Sequence, residues 1–74
     1  MVCTYYEVDF GEEENRYFDS FAQAKRFAKR RATTENAPDI VQICARHQSN
    51  GIDWGGRVCA GFQCGRFFDN GWRD

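Results

Sequence analysis

The sequence predicts an α+β fold: a two-layer sandwich with one helix packed on one face of an antiparallel sheet of four to five strands, in the order β-β-α-β-β-(β). Three observations predict it. The first ten residues alternate with a period of two, residues 20–33 switch to a period near 3.6, and the stretches after Pro38 return to β-branched and aromatic residues parted by glycine-bearing turns. A helix flanked by strands buries its apolar stripe by lying across the sheet those strands form.

Each element has its own signal. In "MVCTYYEVDF", Val2, Thr4, Tyr6, Val8 and Phe10 fall on one side of an extended chain, and Cys3, Tyr5, Glu7 and Asp9 on the other, the pattern of a half-buried strand. "FGEEEN" is a turn, in which Gly11 and Asn15 tolerate unusual backbone angles. "RYF" then pairs back as a short second strand of a hairpin. Ser20 followed by Gln23 opens a helix as a capping box. At about 100° per residue, Phe21, Ala24, Phe27, Ala28 and Ala32 form one stripe. That predicts a helix from Phe21 to Thr33, its stripe packing on Val2, Tyr6, Val8, Val41 and Ile43. Late lysines and arginines suit its negative end, and Pro38 disfavours helix at the residue before it. "DIVQICAR" is β-rich and central. "HQSNGIDWGGR" is predicted as a loop from its Asn50-Gly51 and Gly55-Gly56 pairs. "VCAGFQC" is a further strand, broken at Gly65 before "RFF", a last short one.

The chain has 74 residues, room for one domain, 1–74. A domain this small buries only about 60% of the surface of its unfolded chain, so its core must be dense. An aromatic content of 16% supplies that core, and 42% hydrophobic residues with one proline exclude a disordered chain. Met1 at the start is expected of a complete small reading frame. The first residues are neither a basic leader nor a long apolar stretch, so no export signal and no membrane partner are expected. A cytoplasmic location then keeps the cysteines as reduced thiols.

Zinc needs about four converging ligands. Cys44 with His47 and Cys59 with Cys64 can be drawn as such a set, but positions three or five apart on regular strands point to opposite faces. The expected state is no metal, no cofactor and four free thiols. His47 is the lone histidine and diverges from Cys44 in a strand, so a Cys–His nucleophile is not expected, nor is any other catalytic set. The glycines of "GIDWGG" lack the lysine and the helix of a phosphate-binding loop.

Binding remains. The net charge is −1, but charge is segregated: Glu12, Glu13 and Glu14 stand in one turn, and Lys25, Arg26, Lys29, Arg30 and Arg31 cluster on the helix. Trp54 and Trp72 lie in turn-rich segments, and exposed Trp and Arg, including Arg57, dominate interface hot spots. The candidate partner-binding residues are therefore Glu12, Glu13, Glu14, Lys25, Arg26, Lys29, Arg30, Trp54, Arg57 and Trp72. A basic helix face with Arg46, Arg57 and Arg66 near aromatics keeps nucleic acid open as an alternative ligand.

The alternating strand, acidic hairpin and "FDSFAQAKRFAKRRA" helix resemble small phage-encoded anti-CRISPR proteins directed at type I interference complexes. The likeness covers the first half of the chain, centred on "SFAQAKRFA". It implies a non-catalytic inhibitor, monomeric or homodimeric, in the host cytoplasm. Its partner would be a host CRISPR-Cas effector complex or one of its subunits, with nucleic-acid recognition blocked by steric and electrostatic occlusion. On that resemblance the three glutamates pair with lysines that otherwise hold nucleic acid, or the basic helix face meets guide RNA, DNA or an acidic protein surface.

Overall fold

In a computed structural model, residues 2–10 and 15–71 are described, without the side chains of residues 2–3 and 53–55. Strand β1 (Val2–Asp9) and strand β2 (Arg16–Phe18) precede helix α1 (Phe21–Ala32). Strands β3 (Ile40–Ser49), β4 (Ile52–Gln63) and β5 (Arg66–Asp69) follow. All five form one sheet in the order β2-β1-β3-β4-β5, every neighbouring pair antiparallel. The α+β sandwich with one helix on one face is thus the architecture of this chain. β2 and β3 both run against β1, so they are parallel to one another, and α1 carries the chain between them over the sheet face.

α1 starts where the capping signal places it. Ser20 is extended, and its Oγ accepts from the Gln23 amide at 3.2 Å. The helix stops one residue short of the predicted end. Thr33 caps it by donating both its amide, at 3.0 Å, and its hydroxyl, at 2.9 Å, to the Lys29 carbonyl.

The core lies between α1 and the strands. Tyr6, Val8 and Phe10, then Val41, Ile43 and Ala45, then Ala60 and Phe62 supply it from the sheet, and Ala24 and Ala28 from the helix. Two alanines at the contact leave no bulk to hold helix and sheet apart. Larger rings close the margins. Phe21 meets Tyr6 edge-on at 5.7 Å, while Phe27 sits 5.8 Å from Phe10 and 5.4 Å from Phe18. Of the sheet residues predicted to meet that stripe, Val2 instead lies at the far end of β1, opposite Ser49.

The predicted loop His47–Arg57 is a correction. β3 continues to Ser49 and β4 begins at Ile52, leaving a two-residue turn. Asn50 and Gly51 take φ of 53° and 77°, the left-handed pair whose twist matches that of the flanking strands. Gly55 and Gly56 sit inside β4 and mark no turn. At Gly56 a Cβ would lie 2.8 Å from the Ala45 carbonyl oxygen, so glycine here answers a close approach of two strands.

Two register shifts bend the β3–β4 pair. Ile43 faces Ala60 but Cys44 faces Val58, so Cys59 is an extra residue, and it is buried in the core. Further along, Arg46 faces Gly56 and Gln48 faces Asp53, which sets His47 against Trp54 and Gly55.

Candidate functional site

Three surfaces arise from this fold: the two flanks of α1, the outer edge of β4, and the sheet face away from the helix. With Ala24 and Ala28 held against the sheet, helical geometry spreads Lys25, Lys29, Arg26 and Arg30, in that order, over one arc of about 140° turned away from the sheet, Lys25 at one margin and Arg30 at the other. All four are exposed. The basic helix face read from the sequence is thus one continuous arc, with different neighbours at its two margins. Lys25 is engaged on its flank, with Nζ 4.2 Å from the centre of the Phe67 ring of β5.

On the side of the helix that carries Gln23 and Phe27, Arg26 and Arg30 rise beside an open groove of about 280 Å³, lined also by Gln23, Phe18 and Phe27. β2 places Phe18 there. Tyr6 and Val8 pair with Phe18 and Arg16 and face the helix, so these two β2 residues share that face while Tyr17 points away. The Arg16 guanidinium lies 6.0 Å from the Phe27 ring centre, on the same side. Arg31 is drawn inward, its guanidinium 4.8 Å from the Phe10 ring.

The second surface is the end of the sheet beyond the helix. β5 flanks β4 only from Ala60 to Gln63, and β2 flanks β1 only from Tyr6 to Val8. Among the described residues no strand lies outside β4 from Ile52 to Gly56. Ile52 is 59% exposed there, and Arg57 follows, exposed, in β4.

The third surface centres on Glu7. Its carboxylate accepts from Arg46 Nη1 of β3 at 3.3 Å and from Asn15 Nδ2 at 2.8 Å. Its hydrogen bond to the Tyr17 hydroxyl, then its charge, raises the Tyr17 pKa. Tyr17 in turn lies 6.0 Å from the Tyr5 ring. The cluster links three strands, and nothing in the sequence pairs Glu7 with a residue 39 positions away.

The thiols and the imidazole do not converge. Cys44 and His47 alternate onto opposite faces, and His47 Nδ1 meets Thr4 Oγ1 of β1 at 3.2 Å. Cys64 sits in the turn beyond Gln63, opposite Ile40, roughly 20 Å along β3 from His47. Among the described residues no three His, Cys, Asp or Glu side chains are placed to hold a metal ion. Cys44 is half-buried, and burial raises its pKa; the charges of Glu7, Asp9 and Cys59 add to the rise and Arg46 opposes it.

Three described thiols should accordingly separate in alkylation followed by mass spectrometry. At pH 7 Cys64, exposed, is modified first, and Cys59, buried, only with global unfolding. Cys44 reacts slowly, its rate still climbing with pH past the ordinary thiol value of 9.0, where an unshifted thiol levels off. Equal rates for Cys44 and Cys64 at neutral pH would contradict the placement of Cys44.

Of the other residues singled out in the sequence, Glu12, Glu13, Glu14 and Trp72 lie outside the described residues. Trp54 is placed only by its backbone, in β4. No helix among the described residues is long and apolar enough to cross a membrane. No protein-family model, no curated protein and no solved structure matches the chain.

Proposed function

We propose that this protein is a non-catalytic inhibitor that docks on a protein complex by adding a strand to it and thereby covers a surface the complex needs. The observation that carries the reading is the outer edge of β4 from Ile52 to Gly56, which no described strand flanks. Such an edge offers a row of backbone donors and acceptors, the template used when one chain extends the sheet of another. Exposed Ile52 gives it an apolar anchor. Segregated charge, basic on the helix and acidic at Glu12–Glu14, orients the encounter.

The resemblance of the first half to small anti-CRISPR proteins supports a host CRISPR-Cas interference complex as the partner, with nucleic-acid recognition blocked by occlusion. The test is capture of that complex by the tagged protein from cells carrying a type I system, with an interference assay in parallel. Ile52→Lys should weaken capture about tenfold, the size of one hot-spot contact, while thermal unfolding is unchanged. Capture that Ile52→Lys leaves intact would remove the β4 edge from the interface. Failure of the unaltered protein to capture the complex would remove the target.

A further inference from the structure

We propose that the groove between α1 and β2 binds single-stranded nucleic acid, with one base against Phe18 and Phe27 and the adjoining phosphates on Arg26 and Arg30. This site is independent of the docking edge, because β2 and β4 lie on opposite sides of β1 and β3 in the sheet.

The shape limits the occupant. At about 280 Å³ the groove lies just below the roughly 300–1,000 Å³ of drug-sized pockets. It therefore takes about one nucleotide. It is open to solvent, so a strand can lie across it. A duplex keeps its bases stacked inside and has nothing to lay on an aromatic floor.

The charge limits it further. Arg26 and Arg30 stand one helical turn apart, about 6 Å along the axis, where like charges repel. Neither forms an ion pair with a described carboxylate. An anion between them relieves that repulsion. Guanidinium forks match phosphate oxygens with two parallel hydrogen bonds, and Arg16 adds a third cation beside Phe27. A carboxylate side chain of a peptide would satisfy the arginines but leave Phe18 and Phe27 uncovered. A nucleotide meets both requirements, as in other single-strand binders that join cations to aromatic platforms.

Only Arg26 and Arg30 among the described cations line the groove, with Arg16 beside Phe27, so phosphate contacts are few. With two or three phosphates held, the logarithm of affinity should fall with the logarithm of salt at a slope of about −1.4 to −2.1.

The experiment is fluorescence anisotropy of a labelled thymidine 15-mer with the full chain, at several salt concentrations. Saturable binding with that shallow slope is expected. The Arg26→Ala, Arg30→Ala double variant should lose about tenfold or more, and Phe18→Leu, which keeps aliphatic bulk, about fivefold. Circular dichroism should show the helix retained in both. Gln63→Ala, exposed on the far side of the sheet from β2, should change affinity less than twofold. The proposal is overturned if the 15-mer does not bind, if Gln63→Ala costs as much as the double variant, or if a duplex or a glutamate-rich peptide competes as well as unlabelled strand.

Discussion

Gly61→Ala is expected to destabilise the fold by about 3 kcal/mol or more, a large share of the roughly 4–11 kcal/mol available to a domain of this length. Gly61 is buried in β4, between Gln42 of β3 and Phe68 of β5. A Cβ there would overlap the Val41 carbonyl oxygen and lie 2.8 Å from Phe68 Cζ. The ring can turn aside, but the carbonyl belongs to the central strand pair and cannot move without disturbing the ladder. Urea unfolding of the two proteins, compared at equal slope, measures the difference. A loss below about 1 kcal/mol would mean that β3 and β4 do not approach as closely at this point as described.

Ile43→Ala should cost about 2–5 kcal/mol, lowering the melting temperature by roughly 10–30 °C. Ile43 is among the largest fully buried side chains and lies on β3, the middle strand of the sheet, under α1. Neighbours on β1 and β4 are held by their own ladders and cannot collapse into the space, so the penalty includes a cavity as well as lost burial. Ile40→Ala, three residues back on the same strand but 42% exposed, should cost well under half as much. Equal losses at the two positions would contradict the packing of the helix over Ile43.

Much of the fold was legible because its signals are local. The alternation in Val2–Phe10, the Ser20 cap and the alanine stripe each act within one element, and each element stands where they place it. The Asn50-Gly51 signal was read correctly as a turn, but Gly55-Gly56 extended the supposed loop far into β4. A glycine that serves a turn and one that serves a close strand approach look alike in sequence, since the carbonyl of Ala45 that decides between them is brought in by pairing.

The sites were less legible for the same reason. Arg26 and Arg30 were visible as helix cations. Which of the helix cations borders a groove depends on which way the helix faces, and that groove depends on Phe18 from a strand of three residues. The Glu7–Arg46 pair joins strands that only the topology makes neighbours.

That β1 is inserted between β2 and β3 has a consequence for synthesis on the ribosome. The first strand cannot bury Val8 or complete its ladder until Ile40–Ser49 has emerged, and β3 is itself incomplete without β4. The nascent chain therefore carries its opening hairpin and helix without a lasting core until β4 has been made, and its acquisition of structure is close to an all-or-none event once that strand is free to pair.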